Sequence, residues 1–261
     1  MSGAPTVLVE RHGAIALLTL NRPERRNGVT VGMCVAFYEA VRDVAASDAR
    51  VLVLRGAGND FCVGADIAST PEDNAPVSEA GAQADMGAIY HASTLLHTMP
   101  QVTLAAIDGG CAGAGMGWAT ACDLRFATAR ARFSTAFLNV GVSGDMGLAW
   151  SLDRLVGGAK ARELLFFPDR FGGKEAHAMG LVNRLYEPDA LHGETMALAE
   201  QLAARDPLAL RLMKANCISA ETLPVGEYIE VESARHLQTA NRPELGKLMA
   251  EGYARRNEGS Q

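Results

Sequence analysis

Val51-Leu52-Val53-Leu54, followed at once by Gly56-Ala57-Gly58-Asn59-Asp60-Phe61-Cys62-Val63-Gly64-Ala65-Asp66-Ile67, is the stretch that decides the fold. Four successive apolar residues without alternation describe a strand covered on both faces, as inside a parallel sheet. The glycine-rich turn that follows lets another main chain or a ligand approach closely. The same design recurs downstream. Val102 to Ile107 is a second wholly apolar strand, and Asp108-Gly109-Gly110-Cys111-Ala112-Gly113-Ala114-Gly115-Met116-Gly117 leads from it into a helix. Leu124 to Ala127 is a third such strand. The first turn of a helix presents N–H groups with no intrahelical partner. Two such turns on neighbouring strands can aim two N–H donors at one oxygen, which stabilises negative charge developing in a transition state.

Working outward, Thr6 to Glu10, a His12-Gly13 turn and Ala14 to Leu20 are β in character. Val31, Cys34, Val35, Tyr38, Val41, Val44 and Ala45 recur at three- and four-residue steps, the period of an amphipathic helix. The alternation of strand and helix predicts an α/β core with crossover connections. Ser69 to Gly81 is polar, with Gly and Pro, and is expected to be a mobile loop. From about Pro188 no strand signal remains. His192 to Ala204, Pro207 to Ala220, Tyr228 to Ala240 and Pro243 to about Arg256 are expected helices. The division expected is therefore a core over 1–190 and a helical oligomerisation region over 191–261.

Composition narrows the function classes. The chain has 261 residues, a net charge of −6 and no Lys/Arg run able to form a nucleic-acid footprint. No apolar run reaches the length of a membrane span, and MSGAPTVLVERHG lacks the layout of an export signal. Five scattered cysteines without a CxxC pair suit reduced, buried thiols rather than a disulfide frame or a metal site. A cytoplasmic protein is expected. Gly58-Asn59-Asp60 also makes a good turn by itself, and Gly113 to Gly117 also serves close helix packing. A dinucleotide fingerprint is excluded, because Trp118 stands where its third glycine belongs. Asp145 precedes the helical run Leu148 to Val156 and reads either as a helix cap or as a catalytic acid. Arg22, Arg25 and Arg26 cluster around Pro23, as a solvated turn or a phosphate site.

Together and in this order, the pieces resemble the crotonase superfamily, the enoyl-CoA hydratase/isomerase family. Leu20-Asn21-Arg22-Pro23 with Arg26-Asn27-Gly28 resembles its opening motif, and Phe61 to Ile67 its most recognisable signature. Ala106-Ile107-Asp108-Gly109 through Gly115, Cys122-Asp123-Leu124-Arg125 and Leu155-Val156-Gly157-Gly158 follow in the expected places. The similarity spans roughly residues 7 to 215. It implies an α/β fold, a crotonase-type spiral of ββα units with a C-terminal helical trimerisation region, assembled as a homotrimer or a dimer of trimers. It also implies an acyl-CoA thioester as ligand, with coenzyme A carried as part of the substrate and no separate cofactor or metal. The oxyanion hole maps to the backbone N–H groups of Ala65 and Ala114. Coenzyme A contacts map near Arg25, Arg26, Gly28, Val63, Ala65, Asp66 and Ile67.

The departures from the family pattern direct the choice of reaction. Family hydratases use two glutamates, and the corresponding positions here are Gly117 and Phe137. Neither moves a proton, whereas hydration of an enoyl thioester needs water activated at one carbon and a proton delivered to the next. Asp145 falls in the loop where several family isomerases carry an acid. One partly buried carboxylate suffices to carry a proton between two carbons, and burial raises its pKa toward that task. The expectation is double-bond isomerisation with Asp145 as base and Ala65 and Ala114 holding the enolate. The alternatives are hydration, aryl-CoA dehalogenation with Asp145 as nucleophile, and a non-catalytic acyl-CoA-binding protein. Tyr90, His91 and His97 lie in the segment that shapes the acyl pocket in the family, while Asp66 and Asp123 also have structural readings inside their motifs.

Overall fold

The structure, a computed structural model, describes residues 4–69, 87 and 89–250. A hairpin of β1 (Val7–His12) and β2 (Ile15–Leu20) opens the chain. β2 then runs parallel to β3 (Val51–Gly56), and β3 to β4 (Val102–Ile107). The register continues through β6 (Leu124–Thr128) to β9 (Arg184–Tyr186), giving one sheet ordered β1-β2-β3-β4-β6-β9. Three short strands, β5 (Gly110–Ala112), β7 (Arg132–Ser134) and β8 (Phe171–Gly172), make a second sheet.

The unbroken apolar strands divide their side chains between two cores with a period of two. Ala16, Leu18, Leu20, Leu52, Leu54, Ala105 and Ile107 face the larger core, while Ile15, Leu17, Val51, Val53, Leu104 and Ala106 face the smaller. The larger core is closed by α1 (Val31–Ala45), α2 (Ala92–Thr98), α3 (Ala114–Ala121), α4 (Leu148–Val156), α5 (Gly158–Phe166) and α6 (Gly173–Ala178). Thr30 caps α1 by accepting from the Met33 N–H at 3.2 Å. Phe37 of α1 stacks on the fully buried Trp118 of α3, centroids 4.0 Å apart, which anchors the helix whose first turn forms part of the site.

The smaller core is covered by α7 (Leu191–Ala203), which contributes Leu191 and Ala199. α8 (Pro207–Ala220) is tied to the core by buried Lys214. Its Nζ donates to Gln101 O at 2.7 Å and Leu96 O at 3.3 Å, and lies 2.9 Å from Asp123 Oδ2. α9 (Val225–Ala240) follows, and residues 245–250 are helical.

The crotonase-type α/β architecture with C-terminal helices is thus the observed one. The small sheet and β9 were not anticipated, because strands of two or three residues carry no readable periodicity. The loop expected over 69–81 lies outside the described residues apart from Ser69, as does the end of the last expected helix. Among the described residues, no helix is long and apolar enough to cross a membrane.

Candidate active site

The two glycine-rich turns lie side by side. Cys62 N donates to Gly110 O and Ala112 N to Cys62 O, each at 2.9 Å, which clips the first turn to β5. Asp60 reinforces the clip by accepting from Gly110 N at 2.6 Å. Gly64 consequently lies against the main chain of the second turn. A Cβ on it would sit 3.1 Å from Ala112 O and 3.6 Å from Gly113 Cα. Gly64 and Gly113 have φ of +87° and +51°, a region in which a side chain is strained.

The peptide planes following these glycines are both fixed through their carbonyls. Gly64 O accepts from Val29 N at 2.8 Å, so the trans peptide turns the Ala65 N–H the opposite way. Gly113 O accepts from Gly117 N at 3.0 Å within the helix, so the Ala114 N–H points off the N-terminal end of α3. Among the described residues neither N–H has an acceptor. Two preoriented donors on touching turns, one at a helix N-terminus, are an arrangement able to stabilise negative charge on a ligand oxygen.

Around the first turn the charges are paired. Asp66 accepts from Arg25 through both carboxylate oxygens, at 2.5 and 3.0 Å, and from Arg22 Nη2 at 3.0 Å. The Arg25 guanidinium, joined by that of Arg22, holds the Asp66 carboxyl down at about 2. Arg22 also donates to Gly28 O, and a Cβ on Gly28 would stand 3.1 Å from Asp66 Cβ. Arg26 forms a bidentate pair with Asp60, both bonds 2.9 Å, and that guanidinium holds the Asp60 carboxyl below its usual range. Val63 is half-buried, and Ile67 is 88 % exposed. The structure thus gathers Arg25, Gly28 and Asp66 behind the Ala65 turn and places Arg26 with Asp60.

Asp145 is half-buried and lines a cavity of about 540 Å³ walled by Tyr90, Phe137, Met146, Leu148 and Trp150. Among the described lining residues it is the only carboxylate. Its Oδ1 is buried and has no hydrogen-bond partner among the described residues, and burial pushes its pKa above the ordinary carboxylate value. The helix-cap reading fails: Gly147 occupies the cap position of α4, and no side-chain cap bond forms.

Phe137 joins the two halves of the site. One edge of its ring lies 3.9 Å from a Cβ placed on Gly113 and the other edge 3.6 Å from one placed on Gly144. Gly117 faces Met146 so closely that a Cβ there would stand 2.5 Å from Met146 Cβ. Of the two positions that the family resemblance pairs with hydratase glutamates, one is thus a glycine packed against Met146 and the other carries the ring of Phe137.

His91 is exposed, His97 faces Glu221, and Tyr90 lines the Asp145 cavity. Asp123 accepts from Thr103 N at 2.7 Å as well as pairing with Lys214. Burial pushes the Cys34, Cys62 and Cys122 thiols up to about 12 and that of Cys111 well above its usual value, so none of the four supplies a thiolate near neutrality. No group of three or more potential metal ligands occurs among the described residues. Met146 and Trp150 are site walls that sequence reasoning missed, since nothing local in the chain places either one opposite its partner.

The family model for enoyl-CoA hydratase/isomerase matches residues 10–256. The chain belongs to the enoyl-CoA hydratase/isomerase family. Within this family it is 30% identical over 251 residues to 4-chlorobenzoyl coenzyme A dehalogenase-2 of an Arthrobacter species, covering 94% of this chain and 89% of that one. It is 31% identical to the 1,2-epoxyphenylacetyl-CoA isomerase of Escherichia coli K12, over 84% of both chains. The enoyl-CoA hydratase of Polaromonas sp. JS666 superposes with a TM-score of 0.84 at 28% identity, over 95% of this chain and 97% of that one. A structure from Thermobifida fusca YX in complex with CoA does so with 0.82 at 26% identity, over 93% and 95%. Hydratases, isomerases and dehalogenases thus all stand at comparable distance within the enoyl-CoA hydratase/isomerase family.

Proposed function

We propose that the protein isomerises the double bond of an enoyl-CoA thioester, with Asp145 as the single proton carrier. The observation that carries this reading is that Asp145, half-buried and with its Oδ1 unpaired among the described residues, lines a cavity where Gly117 and Phe137 supply no second carboxylate. The thioester oxygen accepts from the Ala65 and Ala114 N–H groups. Asp145 takes a proton from C2 of a 3-enoyl thioester, and the electron pair spreads over C2, C4 and the thioester oxygen. The same carboxyl returns the proton to C4, leaving the double bond between C2 and C3. A base with a pKa raised by burial serves both steps, because it takes and gives the proton with similar ease.

Coenzyme A binding is assigned to Arg25, Arg26, Gly28, Val63, Ala65, Asp66 and Ile67; coenzyme A as the ligand is supported by the related structure solved in complex with CoA. Arg26, 63 % exposed, and Arg25 are the cations offered to phosphates, while Asp66 orients Arg25. Residues 191–261 act in oligomerisation as a trimer or dimer of trimers, in keeping with the exposed apolar side chains Val225, Ile229 and Leu237 along α9.

One observation favours a second reading. The wall of Tyr90, Phe137 and Trp150 suits an aromatic acyl group, and two relatives are 4-chlorobenzoyl-CoA dehalogenases. There Asp145 attacks the halogen-bearing ring carbon, halide leaves, and water hydrolyses the aryl ester. The discriminating experiment supplies 3-hexenoyl-CoA, crotonyl-CoA and 4-chlorobenzoyl-CoA to the wild-type protein. Isomerisation of the first at least about a hundredfold faster than hydration of the second is expected from one carboxylate in place of two. Efficient hydration, or chloride release from the third alone, refutes the isomerase reading.

A further inference from the structure

A second chamber, of about 550 Å³, adjoins the cavity of Asp145, and Tyr90, Met146, Gly147 and Trp150 belong to the walls of both. The second chamber adds the polar Ser93, His97, Glu221 and Thr222 alongside the apolar Ala121, Ile218 and Leu223.

This polarity is held in place by the fold. His97 Nε2 and Glu221 Oε2 stand 3.0 Å apart, joining the end of α2 to the residue that ends α8. The His97 ring meets Trp150 edge-on, with centroids 5.0 Å apart and planes at 78°. Ser93 is 7 % exposed, and its Oγ has no hydrogen-bond partner among the described residues. A buried hydroxyl is ordinarily paired, so this one, at the edge of the chamber, gains from a ligand group that reaches it after a turn of the Ser93 side chain. Mostly apolar walls with a few fixed polar groups are the usual composition of a small-molecule pocket.

We infer that this chamber receives the far end of the acyl group, and that this end carries a neutral hydrogen-bonding function such as a hydroxyl. The inference rests on Asp145 marking the acyl site. The chemistry of the lining selects among possible ends. A plain methyl end leaves the Ser93 hydroxyl buried and unpaired. A carboxylate end meets the Glu221 side chain, and like charges repel. A hydroxyl donates to Glu221 and accepts from Ser93 Oγ, using both groups at once.

The test measures affinity alone, by calorimetric titration of the full-length protein with decanoyl-CoA, 10-hydroxydecanoyl-CoA and decanedioyl-CoA. These thioesters are saturated, so the readout is independent of any isomerase activity, and failure of that activity leaves the ratios intact. The hydroxylated thioester is expected to bind about five- to tenfold more tightly than decanoyl-CoA, and the dicarboxylic one most weakly. Ser93→Ala and His97→Phe should each bring the hydroxyl preference toward one while changing decanoyl-CoA affinity less than about threefold. Equal or weaker binding of the hydroxylated thioester overturns the inference, as does a preference that survives both substitutions. Failure of all three thioesters to bind overturns both the inference and the acyl-CoA site on which it rests.

Discussion

Adding a single methyl group at Gly117 probes why this site holds one carboxylate and not two. In Gly117→Ala the new Cβ would stand 2.5 Å from Met146 Cβ. Carbon atoms settle at about 3.5–4.0 Å, so one of the two must give by about 1 Å. Neither gives easily, because Gly117 lies inside α3, and Met146 is buried with a φ of +52°. Overpacking of this kind costs about 1–3 kcal/mol. For a chain of this size that lowers the melting temperature by about 2–12 °C. Met146 adjoins Asp145, so the same displacement moves the carboxylate and lowers turnover. The assay is a double-mutant cycle on thermal melting, with Met146→Gly as the second change. That substitution removes the clashing Cβ and relaxes the positive φ, so Gly117→Ala should become nearly neutral in its presence, a coupling of about 1–3 kcal/mol. Gly117→Glu should share the instability and gain no hydratase activity. Melting of Gly117→Ala within about 1 °C of wild type, with full turnover, refutes the reasoning.

Ala114→Pro removes one oxyanion donor while keeping a backbone that proline accepts, since Ala114 is the first residue of α3. Turnover should fall by about 10²–10³ with the protein still folded by circular dichroism, and a loss under about tenfold contradicts the role of that N–H. Asp145 also sets a pH dependence of stability. Burial raises its folded pKa above the unfolded value, so the folded state is favoured at low pH and that advantage is lost as pH rises through the folded pKa. Asp145→Asn should therefore melt higher than wild type near neutrality, with the difference vanishing as pH falls toward 4, which differential scanning calorimetry measures. A variant less stable than wild type at pH 7 means that the carboxylate is paired and not bare.

The two glycine-rich turns were legible because each directly follows an apolar strand, a local pattern that needs no partner to be seen. The alternating cores followed from the same strands. Asp145 was legible only as one of two roles, since an acid before a helix reads equally as a cap. Gly147 in the cap position removes the cap reading. The ion pairs of Arg22, Arg25 and Arg26 were not legible, because Asp60 and Asp66 lie more than thirty residues away along the chain. Nor was the plug that Met146 forms against Gly117, a contact set by the docking of one loop on one helix. β5, β7, β8 and β9 are too short to show a period, and they are the strands that bring the second turn to the first and close the core.

The most direct test follows conversion of 3-hexenoyl-CoA to the conjugated 2-enoyl thioester in heavy water, with wild-type protein and Asp145→Asn in parallel. A carboxyl that carries the proton gives conjugated product whose C4 receives the proton taken from C2, with deuterium there only to the extent that the carboxyl exchanges with solvent between the two steps, and its amide replacement lowers the rate by about 10²–10⁴. Conversion by Asp145→Asn at the wild-type rate would contradict the account.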